Sequence, residues 1–265
     1  MGALSPPRLL PPDQPPNAVL RRFAALTHLD RAAEEALALS LKKPRSIPAR
    51  HELLVEGQEI CETLILVDGW AARTRVLEDG RRQIMNFTLP GDMIGLCEQI
   101  DPIASSTTIA LTHITVCPAP DRRISPALDR AYATSRALEE AHLLGQITRL
   151  GRLSAHERIE DLFLELLERL ELAGLAVNGG FALPLTQEQL ADAVGLTSVH
   201  VNRMLQQARQ AGALTLRSGI LTLKDPRAVR RKVGRRKIRV SAPWPQRASA
   251  DPARHCDRQS LEKST

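Results

Sequence analysis

The stretch from residue 185 to 206 constrains the fold of this chain more than any other part of the sequence. Thr186 and Gln189 have the spacing of a capping box, in which two side chains satisfy free backbone N–H groups at the start of a helix. Gly195 lies where a turn needs a left-handed residue, and Thr197, or the serine after it, can cap a second helix. Apolar residues recur at spacings that give both helices a shared core: Leu190, Val194, Leu196, Val201, Met204 and Leu205. The pattern therefore predicts two short helices that cross at a tight turn.

The residues that follow predict a β-hairpin beside these helices. Residues 213–223 alternate apolar and polar side chains on both sides of a turn at 217–219, which is typical of two paired strands. Two crossed helices with such a hairpin form a winged helix-turn-helix, whose second helix can enter the major groove of DNA. The alternative is an ordinary helical hairpin with a solvated polar face. The caps, the apolar spacing and the wing together favour binding to double-stranded DNA.

The polar side chains of this motif predict how DNA is contacted. Arg203 can donate two hydrogen bonds to guanine, and Asn202 can do similar work on adenine. Thr186 and Gln187 lie at the start of the first helix, where backbone N–H groups suit a phosphate. The positions of the second helix that we expect to be exposed complete the set: Ser198, Val199, His200, Asn202 and Arg203.

The net charge of +6 is concentrated at the C-terminal end of the chain. From Lys224 onward there are thirteen Lys and Arg residues but only four Asp and Glu residues. Such an excess suits a surface that faces nucleic-acid phosphates. The run 230–239 has seven basic residues in ten; it either adds phosphate contacts or is a solubilising tail, and we expect the former. Only seven aromatic residues argue against single-strand binding by base stacking.

The first half of the chain has a different pattern. Between about Ile47 and Pro118, glycines separate short runs of apolar and β-branched residues. Asp68-Gly69 and Asp79-Gly80 suit hairpin turns, because glycine tolerates the positive φ that tight turns require. Regular short strands of this kind predict an antiparallel barrel or jelly roll.

A long helix is predicted between the two parts, at about 124–152. Its apolar residues recur at steps of three and four, and a further amphipathic helix follows at 157–172. A long apolar stripe must be covered, and a second copy of the chain is the simplest partner. The alternative is that this helix packs on its own β domain.

These features together resemble the Crp/Fnr superfamily of bacterial transcription regulators. The resemblance covers roughly residues 20–230, and residues 151–159 resemble the start of the family's DNA-binding domain. It rests also on the glycine turns of the β region: Glu56-Gly57, Asp68-Gly69, Asp79-Gly80, Pro90-Gly91-Asp92 and Ile94-Gly95. The resemblance implies an α+β fold with an N-terminal jelly roll like the cyclic-nucleotide-binding domain. It further implies a homodimer on a palindromic site, contact with RNA polymerase and room for a small-molecule effector.

The sequence departs from the family at the positions that bind effectors. Members that bind cyclic AMP hold its phosphate with an Arg-Ser pair, whereas the comparable stretch 103–107 has no arginine. The leader has no cysteine for an iron–sulfur cluster, and His51 and His113 are expected to be structural rather than haem ligands. The effector therefore stays unidentified, and its candidate pocket residues are Gly91, Asp92, Gly95, Ser105 and Ser106. Val199 stands where many members have a glutamate, so we expect a different DNA half-site.

The predicted domains follow from these patterns. They are a disordered leader (1–17), a sensor domain (18–123), a dimerisation helix (124–152), a winged helix-turn-helix domain (153–228) and a basic, disordered tail (229–265). No apolar run is long enough to span a membrane and the leader lacks a secretion signal, so a cytoplasmic location is expected.

Other classes of function are less well supported. The chain lacks the common nucleotide-binding, nucleophile and metal motifs, and its four cysteines have no CxxC spacing. We therefore predict no enzymatic activity, no metal and no cofactor. The remaining alternative is a ligand-sensing module that regulates a protein partner without reading DNA. That alternative leaves the wing and the basic tail without a purpose.

Overall fold

The N-terminal half of the fold is a β domain preceded by two helices. The computed structural model describes residues 15–240. The elements of this half are α1 Pro15–Leu26, α2 Arg31–Leu41, β1 Arg45–Ile47, β2 Glu52–Leu54, β3 Leu64–Asp68, β4 Ala71–Val76, β5 Arg82–Thr88, β6 Met93–Ile94, β7 Thr107–Ala110 and β8 Ile114–Pro118.

The eight strands form two antiparallel sheets, with the orders β1-β8-β3-β6 and β2-β7-β4-β5. This alternation of strands between two sheets is that of a jelly roll, which confirms the predicted class of the domain. The turn before β4 needs a glycine, because Gly69 has a φ of +82° and a Cβ there would overlap the carbonyl oxygen of His113. The hairpin between β4 and β5 turns at Gly80, also with a φ of +82°.

The C-terminal half begins with two long helices and ends in a small sheet. Its elements are α3 Pro126–Arg152, α4 Ala155–Leu172, β9 Ala176–Val177, β10 Gly180–Ala182, α5 Gln187–Val194, α6 Ser198–Gln210, β11 Leu214–Arg217, β12 Ile220–Leu223 and α7 Pro226–Lys232. Ser125 caps α3 by accepting from the N–H groups of Ala127 and Leu128. A capping box of Ser154 and Glu157 starts α4 directly afterwards, so the two helices are separated by a sharp break.

The long helix α3 is covered along only part of its length. Leu128, Ala131 and Tyr132 are buried in a cluster with α1, α2 and β3. Leu144 and Ile147, farther along the helix, are 59% and 66% exposed. The first part thus packs on its own β domain, which the sequence analysis gave as the alternative to a dimer contact. The second part leaves large apolar side chains uncovered.

The two halves share one apolar core. Leu162, Phe163 and Leu166 of α4 belong to the same buried cluster as Trp70 and Phe87 of the β domain. The buried residues of α5, α6 and the C-terminal sheet continue this cluster without interruption. The core therefore runs from the jelly roll through α4 into the helix-turn-helix.

Two predicted domain bounds need correction, and the others remain predictions. Helix α1 begins at Pro15, inside the predicted leader 1–17, and residues 1–14 lie outside the described part. The predicted disordered tail 229–265 starts too early, because α7 extends to Lys232 and Arg235 is bonded to α4. Val229 and Val233 are buried, and the neighbouring basic side chains find carboxylates on α4. Residues 241–265 again lie outside the described part.

None of the helices found within residues 15–240 has the length and apolar character needed to cross a bilayer.

Candidate nucleic-acid interface

Local capping fixes the two crossed helices as the sequence predicts. The Thr186 hydroxyl accepts from the N–H of Gln189 at 3.1 Å, and the Gln189 side chain accepts from the N–H of Thr186 at 2.9 Å. Gly195 ends α5 with a φ of +65°, and Thr197 caps α6 by accepting from the N–H of His200 at 3.2 Å. The helices meet through buried side chains: Leu190, Ala191, Ala193, Val194, Val201, Met204, Leu205 and Ala208.

The predicted contact residues of α6 lie on one outward face. Ser198, Val199, Asn202 and Arg203 are exposed, and Val199 has 78% of its surface open. His200 is half-buried at the edge of this face, where its Nε2 lies 3.1 Å from the Nη2 of Arg203. The structure thus brings all five together on the side of α6 that faces away from its buried residues.

The two remaining predicted contacts lie on the preceding helix. Thr186 and Gln187 are exposed at the N-terminus of α5, where free N–H groups and the helix dipole suit an anion. No acidic side chain lies in the first turn of α6, although Glu188 lies in that of α5. The face is therefore suited to a polyanion mainly through α6.

Two further candidates were missed from the sequence. Gln206 is exposed one turn beyond Asn202, and its Nε2 lies 3.5 Å from the Asn202 Oδ1. Its spacing of four residues from Asn202 puts both side chains on one face of a helix, so the sequence could have indicated it. Arg217 is exposed at the tip of the wing, next to Ser218 with a φ of +49°. The pairing of β11 with β12 places Arg217 at the tip, in the turn 217–219 that the sequence predicts.

Helix α5 is fastened to the jelly roll. Arg82 on β5 donates to one carboxylate oxygen of Asp192 from Nε at 2.8 Å and from Nη2 at 2.6 Å. The Gln83 side chain donates to the carbonyl oxygen of Asp192 at 2.7 Å. From α3, the Gln146 side chain donates to the carbonyl oxygen of Ala193 at 2.5 Å. The orientation of the helix-turn-helix is therefore set by β5 and α3 together.

The candidate effector residues do not meet in one pocket. Asp92 is half-buried, and its carboxylate accepts from Arg169 at 2.5 Å and pairs with Arg22 at 3.5 Å. Burial opposes its ionisation, but the guanidiniums of Arg169 and Arg22 outweigh burial and hold the pKa of Asp92 below its ordinary value. A Cβ at Gly91 would overlap the Arg22 side chain, so this turn serves packing between the β domain, α1 and α4.

Ser105 and Ser106 form a separate group with a residue that sequence analysis missed. Arg73 of β4 donates to the hydroxyl oxygens of Ser106 at 3.0 Å and Ser105 at 3.5 Å. The same guanidinium donates to Glu139 of α3 at 2.6 Å. The arginine missing from 103–107 is thus supplied by a neighbouring strand. Gly95, with a φ of +75°, packs instead against the carbonyl oxygen of Glu62.

A jelly roll, a long helix and a winged helix-turn-helix on one chain define a class of regulators that join a sensor domain to a DNA-binding domain. Residues 44–131 match the family model of the cyclic nucleotide-binding domain, and residues 157–232 match that of the Crp-like helix-turn-helix domain. The chain belongs to the Crp/Fnr family of DNA-binding transcription regulators.

Similar proteins support this assignment. The nitrogen fixation regulation protein FixK of Bradyrhizobium diazoefficiens is 31% identical over 170 residues, which is 62% of this chain and 70% of FixK. The transcriptional activator protein FnrL of Cereibacter sphaeroides is 28% identical over 206 residues, covering 74% of this chain and 82% of FnrL. The structure of FixK2 from Bradyrhizobium japonicum aligns with a TM-score of 0.62 and 27% identity, over 71% of this chain and 96% of FixK2. The predicted family, fold class and DNA-binding function are confirmed, and the alternative of a module without DNA readout is not favoured.

Proposed function

We propose that this chain binds a palindromic DNA site as a homodimer, with each α6 in the major groove of one half-site. The observation that carries the proposal is the outward face of α6. Arg203 is exposed there, and no ion pair of Arg203 with a carboxylate is found within residues 15–240. An arginine without a competing acid is available to donate two hydrogen bonds to guanine. Val199 beside it offers methyl contact, which suits the methyl group of thymine.

The uncovered part of α3 supports the dimer. Leu144 and Ile147 are three residues apart, so they lie on one side of the helix. Pairing this side with its copy in a second chain would remove both side chains from water. Burial of apolar surface stabilises such a dimer by roughly 25 cal/mol per Å². Family regulators act as dimers, and half-sites about 34 Å apart suit two such recognition helices.

Three finer parts of the proposal rest on the family. The jelly roll is proposed as the sensor domain, with an effector near Ser105 and Ser106 or near Gly91, Asp92 and Gly95. RNA polymerase is the proposed protein partner, since the relatives are named as transcription regulators. A protein whose partners are DNA and RNA polymerase acts in the cytoplasm of a bacterium.

The experiment is to select binding sites from random DNA and then to compare the wild type with Arg203→Ala. We expect the variant to lose about 1–3 kcal/mol of binding free energy on the selected site and to lose preference at one base pair. Gel-shift titrations against single-base variants of the site measure both effects. The control is Arg31→Ala, since Arg31 is exposed on α2, outside the helix-turn-helix, and pairs with Glu35 of the same helix.

Two results would change the proposal. An equal loss of affinity on every DNA sequence would make Arg203 a phosphate contact rather than a base contact. If the dimer did not bind duplex DNA even at low ionic strength, the proposed interface would be wrong.

A further inference from the structure

The side chain of Arg203 is held by a neighbour on its own helix. The Arg203 Nη2 lies 3.1 Å from the Nε2 of His200, one turn earlier in α6. A guanidinium can only donate, so this Nε2 accepts, and the imidazole is neutral with its hydrogen on Nδ1. His200 is the one side chain to which Arg203 is hydrogen-bonded within residues 15–240. The contact uses one N–H group of the guanidinium and leaves the others available to guanine.

His200 is itself held in place by the rest of the protein. Its backbone N–H donates to the Thr197 hydroxyl at 3.2 Å, at the start of α6. Its side chain is half-buried and lines a cleft between the β4–β5 hairpin and the helix-turn-helix, together with Arg82 and Leu196. Arg203, by contrast, is exposed. The contact therefore ties a solvent-exposed arginine to a side chain that the fold already restrains.

The sequence of α6 leaves this support to His200. Side chains three and four residues apart are neighbours on the surface of a helix. The preceding neighbours of Arg203 are thus Val199 and His200, and the Val199 side chain has no polar atom. Of the following neighbours, Gln206 has its Nε2 3.5 Å from the Asn202 Oδ1. His200 is therefore the only preceding neighbour whose side chain can accept a hydrogen bond from Arg203.

We infer that His200 is a positioning residue for base recognition, which holds the Arg203 guanidinium in the orientation that guanine requires. The inference rests on the proposed function and deepens it, because the sequence predicts His200 as a DNA contact in its own right. An unrestrained arginine must lose the freedom of several rotatable bonds when it binds a base. His200 removes part of that freedom in the unbound protein, so less of it is lost on binding. The benefit is largest for the base pair that Arg203 reads, since only that pair uses the held orientation.

The test compares His200→Leu with the wild type on the selected DNA site, both alone and combined with Arg203→Ala. We expect His200→Leu to weaken binding to the selected site by about fivefold and to reduce the preference at the base pair that Arg203 reads. In the Arg203→Ala background the same change should have little effect, because no guanidinium is left to hold. Gel-shift titrations against the selected site and its single-base variants measure both quantities.

Further variants make the result specific. In His200→Gln the amide oxygen can still accept from Arg203, so this variant should keep most of the preference. His28→Leu is the matched control, because His28 is exposed between α1 and α2, outside the helix-turn-helix, and the variant should behave as the wild type. His200→Ala replaces His200→Leu if the leucine variant does not fold.

Three results would overturn the inference. An equal loss from His200→Leu with and without Arg203, or a loss of preference at a different base pair, would make His200 a DNA contact of its own. A glutamine variant as weak as the leucine variant would mean that the acceptor of the ring has no role. If Arg203→Ala alone leaves binding unchanged, the proposed function fails and the inference falls with it. If Arg203→Ala acts as proposed but the two positions are not coupled, only the inference is wrong.

Discussion

Charged side chains are buried together where α3 meets α4. Arg149 donates to Asp161 at 2.8 Å and to Glu165 at 2.6 Å, and Arg169 lies beside Glu165. Removing charges from water is costly, and only close partners on all sides offset that cost. Burial alone would raise the pKa of Glu165, but Arg149 and its other cationic neighbours lower it to about 2. The pairing therefore keeps Glu165 ionised inside the protein.

His142 in the same region predicts how stability depends on pH. Burial, aided by Arg169, lowers the pKa of His142 from 6.5 to about 3, so the folded protein holds it neutral. The unfolded chain takes up this proton below about pH 6.5, which favours unfolding. The free energy of unfolding should therefore fall from pH 6.5 downward by up to about 1.4 kcal/mol per pH unit. The lowered pKa of Glu165 acts in the same direction below about pH 4.5.

Denaturant titrations between pH 7 and pH 5 check the contribution of His142. His142→Gln should weaken the dependence of the free energy of unfolding on pH in this window, because glutamine at position 142 cannot take up a proton. His51→Gln, at an exposed position, should leave the slope as in the wild type. A His142→Gln curve parallel to that of the wild type would contradict the expectation.

At the scale of elements, the contact of β5 with α5 decides how the helix-turn-helix is held. Arg82 and Asp192, which are 110 residues apart in sequence, join the two elements. Their side chains are 31% and 19% exposed. A partly buried pair with two hydrogen bonds to one carboxylate should contribute more than an exposed pair. We therefore expect a double-mutant cycle of Arg82→Ala and Asp192→Ala to give a coupling energy of about 1 kcal/mol in unfolding experiments.

The hairpin of β4 and β5, which carries Arg82, also carries a more exposed ion pair that serves as the control for this cycle. Arg75 and Glu56 form an ion pair at 2.6 Å with 58% and 40% of their side chains exposed. Their coupling should lie near the lower end of about 0.2–1 kcal/mol. Equal coupling in both pairs would mean that the contact with α5 adds nothing beyond an ordinary surface ion pair.

The elements that could be predicted from the sequence are those fixed by local contacts. The caps at Thr186 and Thr197, the left-handed Gly195 and the apolar spacing all act within a few residues, so α5 and α6 were predicted with their turn. Arg73 was missed because its partners lie 32 to 66 residues away in sequence. The pairing of β4 with β7 brings the two serines beside it, and the packing of α3 on the β domain brings Glu139. Helix α7 was missed because its basic residues, taken alone, are typical of a solvent-exposed tail. Only the folded chain shows that they pair with carboxylates of α4.

At the scale of the whole molecule, the basic run 230–239 divides into two parts. The Arg235 side chain is 7% exposed and pairs with Asp161 at 3.0 Å and Glu168 at 3.2 Å. Arg236, Lys237 and Arg239 are exposed, so they remain available for phosphates. The choice between phosphate contacts and a solubilising tail therefore concerns only the exposed residues of this run.

Arg235→Ala should destabilise the protein without changing how its DNA affinity depends on salt. The variant leaves Asp161 in a buried position with one cation fewer, and we expect a loss on the order of 3 kcal/mol in the free energy of unfolding. A triple alanine variant of Arg236, Lys237 and Arg239 should change stability little, by about 0.5 kcal/mol or less. It should instead flatten the log–log salt dependence of DNA binding by about 0.9 for each lost phosphate contact. An unchanged salt dependence in the triple variant would favour the solubilising tail.

The apolar cluster that joins Trp70 and Phe87 to α4 has a practical consequence for dissecting the protein. A fragment that began at residue 153 would contain every proposed base contact, yet it would leave behind Arg149 and Asp92, the partners of Glu165 and Arg169. The leucines of α4 that now face the barrel would be open to water, as would its charges. Such a fragment should aggregate or melt at low temperature, so the ability of α6 to recognise DNA is a property that only the undivided chain can display.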